Sequence, residues 1–359
     1  MKVRVSVPGK LFLAGEYAVV EAGNPAIIAA VDRYLSIRIE TSATGSLHSS
    51  QNEGVYLSWC RRDQEFCIQG ENHYPLVTTA IQVTEAYLRL KGMDCQDYYS
   101  LDIQSDLDDR TSGTKYGLGS SGAVTVATVK ALLMYYGYSP SPLLVYKLAV
   151  IVQMKLEMTG SFGDLAASTF GGLIVYSSPN RLWLAKEMAE HSLYQVMEME
   201  WKDLSIASLT LPTTLELLVG WTGSAASTER QVSQMKNQIS QEEKDRLYRQ
   251  FLTRSRACVE AFAEACKNDV QEALRQSVSE NRTILRSLSE VMGLVIETPR
   301  LSQLCELAEM YGAVAKSSGA GGGDCGICLV DSQEQKQMIE EAWRQASILP
   351  LSLNISSKE

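Results

Sequence analysis

The chain has 359 residues, 45% of them hydrophobic and 21% charged, with a formal charge of −9. That length supports one large core or two packed ones without metal or disulfide staples, and no apolar run reaches the roughly 18 residues of a membrane span. The acidic balance argues against sequence-independent nucleic-acid binding, which runs on Lys and Arg neutralising phosphates.

The first seven residues alternate like a strand and lack a signal peptide's long apolar core, which points to a cytoplasmic protein with no membrane partner. Alternation at 3–7, 26–31, 34–41, 54–59 and 64–68 predicts antiparallel strands, followed by a helix over 76–91 and a strand near 98–104. After a glycine-rich turn, Val124, Ala127, Val129, Leu132 and Leu133 mark a heavily apolar helix, and 141–158 carries another. The runs 173–176 and 215–221 read as buried strands. Helical periodicity then holds from 224 to 311, broken near Asn268-Asp269 and at Glu297-Thr298-Pro299, where a proline just after a capping residue suits a helix start. A short strand at 312–315, a second glycine loop at 317–323 and a strand at 324–330 follow. Strands first and mixed elements later indicate an α+β architecture with two lobes. The eight cysteines, at 60, 67, 95, 258, 266, 305, 325 and 328, are scattered rather than packed as in a small secreted framework, so reduced, buried thiols are expected. Cys325 and Cys328 have CxxC spacing but no second pair or nearby histidine to complete a zinc site.

Three stretches carry chemistry. In Tyr116-Gly117-Leu118-Gly119-Ser120-Ser121-Gly122-Ala123 the glycines let the backbone present its N–H groups, and the helix that follows adds partial positive charge; both suit a phosphate. A serine hydroxyl there can bond a phosphate oxygen or ligate magnesium, a hard ion that prefers oxygen. By itself the pattern is equally a plain loop with a serine N-cap, and it matches neither GxxxxGK[ST] nor the GxGxxG of a βαβ unit. The second loop, Lys316-Ser317-Ser318-Gly319-Ala320-Gly321-Gly322-Gly323-Asp324, places four glycines between 319 and 323. Such density is costly in chain entropy, and a simple hairpin needs one or two, so close backbone approach to a ligand or to the other loop is expected. The third stretch, Pro8-Gly9-Lys10-Leu11-Phe12-Leu13-Ala14-Gly15-Glu16-Tyr17, sets Lys10 and Glu16 among apolar residues; alone, Lys10 reads as a snorkelling surface lysine.

Together, and in their order along the chain (8–17 first, 116–123 second, 316–324 third), the three stretches resemble the signature motifs of the GHMP kinases, and the resemblance spans almost the whole chain. Between the second and third, Gly160-Ser161-Phe162-Gly163-Asp164-Leu165-Ala166-Ala167-Ser168 resembles the family's segment bearing the catalytic aspartate; in isolation Asp164 would read as a helix N-cap. The resemblance implies a two-lobed fold: an N-terminal lobe like domain 2 of ribosomal protein S5 over 1–180, and a C-terminal ferredoxin-like α/β sandwich over 181–359. It implies Lys10 and Asp164 as catalytic residues. Lys115, Tyr116, Gly117, Leu118, Gly119, Ser120, Ser121 and Gly122 would contact ATP, with Ser120 and Ser121 holding Mg2+.

Finer wording resembles the family's bacterial branch that acts on phosphomevalonate: Lys115, the run 160–167, the run 316–326, and Gly220-Trp221-Thr222-Gly223-Ser224-Ala225-Ala226-Ser227-Thr228. The 222–228 part could otherwise be a helix start. That branch implies transfer of the ATP γ-phosphoryl group to the 5-phosphate of (R)-5-phosphomevalonate, giving 5-diphosphomevalonate and ADP, in a monomer or homodimer. Lys10, Lys115, Ser227, Ser317, Ser318, Gly319, Ala320 and Gly321 would surround the acceptor. Because that acceptor is already a phosphate, with a second pKa of about 6 by analogy with phosphoserine, little proton remains to be removed near neutrality. Asp164 is therefore expected to orient Lys10 or magnesium, while Lys10 relieves repulsion between the phosphates. The alternatives are mevalonate as an alcohol acceptor on the same motifs, and a noncatalytic regulator that retained nucleotide binding. Tyr34, Trp59 and Tyr74 suit an adenine pocket or core packing alike.

Overall fold

A computed structural model describes residues 1–50, 56–109, 112–223 and 240–358. Strands β1 (Lys2–Ala14) and β2 (Pro25–Thr41) form a long antiparallel hairpin. The two strands expected at 26–31 and 34–41 are thus one. The register slips by two residues where Pro8 pairs with Tyr34 but Gly9 with Val31, leaving Asp32 and Arg33 out of the pairing, and 25–31 is buried on both faces whereas 35–40 alternates, so the strand's pattern looks interrupted. Next come β3 (Gly45–Ser49), β4 (Tyr56–Arg62), β5 (Glu65–Gln69), α1 (Pro75–Leu90), β6 (Tyr99–Ser105), α2 (Ser120–Tyr135), α3 (Pro142–Lys155), α4 (Gly163–Phe170) and β7 (Leu173–Ser177). Helices α5 (Arg181–Glu190) and α6 (Leu193–Glu198) lead to β8 (Ser205–Leu209). The first sheet runs β5-β4-β3-β6-β2-β7-β8, with β1 also on β2. Pairing within it is antiparallel except between β3 and β6. Helix α2 is apolar around most of its circumference because it is enclosed, packing on β1, β2, α1, α3 and α4.

The second lobe contains β9 (Glu216–Trp221), α7 (Gln241–Asn268), α8 (Gln271–Met292), α9 (Pro299–Met310), β10 (Val314–Ser317), β11 (Cys325–Val330), α10 (Gln333–Gln345) and β12 (Leu349–Leu351). Its antiparallel sheet has the order β10-β11-β9-β12. Counting its strands from β9, that order is 4-1-3-2 when read from β12, a β-α-β-β-α-β ferredoxin-like arrangement with three helices in its first crossover. Helix α9 opens as the sequence suggests, Thr298 Oγ1 accepting from Leu301 N (3.2 Å) with Pro299 in the first turn. A division at 180 and 181 does not coincide with a sheet boundary. β8 pairs with β7 in the first sheet, and the C-terminal segment returns to bridge Val31 through Ile355 and Gly171 through Lys358.

All eight cysteines are unpaired, six of them buried, and burial pushes the Cys258 and Cys305 thiols up to about 12. Among the described residues no helix is long and apolar enough to cross a membrane.

Candidate active site

The first glycine loop is pinned to β1 by Lys10, whose backbone N–H donates to Leu118 O (2.8 Å) and whose Nζ donates to Gly117 O (3.0 Å). Helix α2 starts immediately after Gly119, which sits in the left-handed region at φ 82 and ψ 39. A Cβ there would come within 2.9 Å of Lys10 Cγ and 3.5 Å of Asp164 Cβ. Glycine is therefore what lets the loop, the lysine and the aspartate converge. A Cβ on Gly122 would collide with the Asp164 carboxylate, so the aspartate lies against the first turn of α2.

Asp164 stands in the first turn of α4, directly after Phe162 in a left-handed conformation at φ 60. Non-glycine residues adopt that region at a cost and need outside support. The Arg181 guanidinium supplies it, lying 4.3 Å from the Phe162 ring centroid and donating to Met158 O (2.9 Å) and Gly160 O (2.8 Å). Burial pushes the Asp164 carboxyl above the usual carboxylate range, opposed by the Lys10 charge and by the backbone N–H groups of Leu165 and Asp164. Lys10 and Asp164 share one cleft of about 310 Å³, with Phe12, Gln153, Gly319 and Ala320 among its other walls.

The third motif is strapped across the first. Lys316, 0% exposed, is ion-paired with Glu16, 3% exposed. Gly319 N also donates to Glu16 Oε1 (3.4 Å), Phe12 N to Ser318 Oγ (2.9 Å), and the Tyr17 hydroxyl to Ala320 O (2.5 Å). With its amide turned to satisfy both ends, Asn281 donates to Glu16 Oε2 (3.0 Å) and accepts from Gly15 N (3.2 Å). The close approach expected of the glycine-rich loop is real at Gly321, φ 69, where a Cβ would collide with the Ile296 carbonyl. The five loop residues among the eight expected to surround an acceptor therefore separate. Gly319 and Ala320 line the cleft, Ser317 and Ser318 are buried beneath it, and Gly321 packs on Ile296. Lys316→Met leaves the Glu16 carboxylate buried beside a neutral side chain. We expect it to destabilise the protein by roughly 3–5 kcal/mol, read as a lower midpoint in urea unfolding.

Lys115, Ser120 and Ser121 border a second pocket of about 230 Å³, together with Ser49, Tyr74 and Ile103. Lys115, expected at both ATP and acceptor, belongs to this pocket and is not among the residues lining the Lys10–Asp164 cleft. The Tyr116 and Leu118 side chains are both buried, and the Tyr116 ring meets Trp221 edge-on at 5.0 Å. Of the candidate aromatics, Tyr74 reaches the pocket, Trp59 is buried and stacked on Tyr98, and Tyr34 is exposed. Ser227 lies outside the described residues. Gln153 and Arg181 escaped the sequence reading. A lone amide in the apolar run 141–158 was the available signal for Gln153, whereas nothing local marks Arg181.

Among the described residues no group of three or more His, Cys, Asp or Glu side chains could hold a metal by itself.

The chain was compared with known proteins. The family model for the GHMP kinases N terminal domain matches residues 75–172, and that for the GHMP kinases C terminal matches 259–348. Phosphomevalonate kinase of Streptomyces sp. (strain CL190) is 35% identical, covering 96% of this chain and 95% of that protein. A solved Lin0012 protein from Listeria innocua has a TM-score of 0.90 at 34% identity, covering 100% of this chain and 99% of that one. Streptococcus pneumoniae phosphomevalonate kinase, solved in complex with phosphomevalonate and AMPPNP, has a TM-score of 0.85 at 32% identity, covering 99% of this chain and 100% of that one.

Proposed function

Because the chain belongs to the GHMP kinases, we propose that it transfers the γ-phosphoryl group of ATP to (R)-5-phosphomevalonate, giving 5-diphosphomevalonate and ADP. The observation that carries this reading is the meeting of Lys10 and Asp164 at Gly119, beside the N-terminus of α2 and on the floor of a cleft. The cleft's volume falls at the lower end for small-molecule sites, roughly 300–1,000 Å³, which suits a compact acceptor.

Phosphoryl transfer to a phosphate brings two polyanions together, so alignment and charge neutralisation dominate. The N–H groups of Ser120, Ser121 and Gly122 open the first turn of α2 and have no carbonyl ahead of them in the helix; they hold nucleotide phosphate. Lys115 and the second pocket take the rest of the nucleotide, and the Lys10–Asp164 cleft takes the acceptor between Gly319 and Ala320. Lys10, anchored on Gly117 O, sets its ammonium between donor and acceptor. Asp164 keeps a negative charge behind that ammonium and orients it; the acceptor phosphate needs no strong base, being largely dianionic near neutrality. Ser120 and Ser121 are the residues we assign to magnesium, which supplies further neutralisation of the phosphate oxygens when bound. We assign the protein to the cytoplasm, as a monomer or homodimer, on its likeness to the GHMP kinases.

A coupled ADP-release assay against phosphomevalonate, mevalonate, homoserine and galactose tests the assignment. The expected result is turnover with phosphomevalonate far above the other three. Preferred turnover of mevalonate would replace it with an alcohol kinase. Nucleotide binding with no phosphorylated product in phosphorus NMR would replace it with a noncatalytic regulator.

A further inference from the structure

Gln153 is a polar side chain placed where the fold has no use for it. Helix α3 is apolar around nearly its whole circumference, and Val150, Ile151 and Val152 just before Gln153 are buried at 1% exposure or less. Gln153 is itself only 5% exposed, and it borders the Lys10–Asp164 cleft. Its amide has no hydrogen-bond partner among the described residues, whereas the other buried polar residue of α3, Lys147, donates to Met197 O (2.9 Å) and Met199 O (2.6 Å). Largely enclosed, that amide keeps only a little accessible surface of its own. The surface left to it opens into the cleft, where a ligand can reach its two donors and its acceptor oxygen.

The side chain is also held in place. Tyr146 lies seven residues earlier, two turns back on the same face of α3. Its hydroxyl pairs with that of Tyr176 (2.8 Å), which donates in turn to Ser161 O (2.5 Å). The carbonyl of Gln153 accepts from Met158 N (3.0 Å). The helix and the 158–162 loop are therefore tied into one wall, and Gln153 lines the cleft with Phe12, Val19, Met158 and Phe162 as well as with Thr159 and Ser161. Of the polar residues in that lining, Gln153 carries the one amide side chain, with two donors and an acceptor on one group.

We propose that Gln153 is a specificity-determining residue for the acceptor, its amide hydrogen-bonding the carboxylate end while Lys10 and Asp164 handle the phosphate end. This rests on the reading of the cleft as the acceptor site. A site that hydrogen-bonds a ligand group discriminates strongly against ligands lacking it, because its own polar atoms are then stranded.

The test uses full-length protein with saturating ATP and magnesium, and begins with the unmodified enzyme and phosphomevalonate. No turnover at that stage overturns the functional reading and this role with it. Given turnover, Gln153→Met is expected to raise KM for phosphomevalonate about tenfold or more, the worth of one hydrogen bond to a charged group. KM for ATP should stay within about twofold. Gln153→Glu should raise the acceptor KM further, because it sets a carboxylate against a carboxylate. Gln153→Asn, with the amide one methylene short, should fall between the unmodified enzyme and the other two, and it serves if Gln153→Met does not fold. An acceptor KM unchanged in the folded variants, or one that rises only in step with KM for ATP, overturns the role of Gln153 and leaves the function standing.

Discussion

Lys10→Met is expected to lower kcat by about 10³-fold or more while ATP still binds. Methionine keeps an unbranched, apolar stem of similar length against Gly119, where Lys10 Cγ and Cε would lie within 2.9 and 3.1 Å of a Cβ, so the fold should persist. What disappears is the ammonium, and with it the positive charge beside Asp164 and the hydrogen bond to Gly117 O. Two phosphates must approach within bonding distance in this reaction, and a charge held on the transfer axis acts mainly in the transition state, so the loss should appear in kcat rather than in nucleotide affinity. The check is steady-state turnover at saturating substrates together with calorimetric ATP binding. A kcat within tenfold of the unmodified enzyme would mean that neutralisation comes from elsewhere.

Asp164→Asn is expected to cost about 10²- to 10³-fold in kcat, with a pH signature that separates two roles. If Asp164 orients Lys10, the loss is the same at pH 6.5 and pH 9. If it removes a residual acceptor proton, the loss shrinks as pH rises, because above a second pKa of about 6 the acceptor needs no base. We expect the constant loss. The same substitution should leave the protein as stable or slightly more stable near neutrality. Burial raises the folded-state pKa of Asp164 above its unfolded value. The penalty for charging it is therefore absent below the ordinary carboxylate pKa, grows as pH rises between the two values, and is complete above the folded one. Asparagine removes that penalty, so a melting temperature raised by about 2 °C at pH 7.5 is expected, with the difference vanishing in acid. A lower melting temperature for the variant at pH 7.5 would mean that the carboxylate's bonds to the N–H groups of Leu165 and Asp164 outweigh its burial.

Much of this could be read from the chain in order. The apolar pattern of 124–133 marked α2, Thr298-Pro299 marked the start of α9, and the glycine loops announced backbone that had to approach something closely. Other features were illegible for identifiable reasons. β2 looked like two strands because Asp32 and Arg33 bulge out of the pairing opposite Pro8 and Gly9, with a stretch buried on both faces before them and an alternating one after. β8 and the C-terminal bridges to Val31 and Gly171 join the first lobe through long-range pairing that no local pattern encodes. Helix α10 carries a thin helical signal, with Ile339 and Trp343 four residues apart and buried with Leu304 in one cluster, the rest of its length being polar.

At the site the division follows from range. Residue type and local spacing determined that glycines at 117 and 119 precede a helix and Gly122 lies in its first turn, that Lys10 sits on a strand, and that Asp164 opens a short helix; these are properties of a few neighbouring residues and of φ. Tertiary structure alone decided which of them face one another. Lys10 reaches Gly117 across 107 residues and Lys316 reaches Glu16 across 300, and packing at that distance sends Ser318 beneath the cleft, Ala320 into it and Lys115 to another pocket. A side chain's direction in space depends on which elements close over it, and that information is spread over the whole chain.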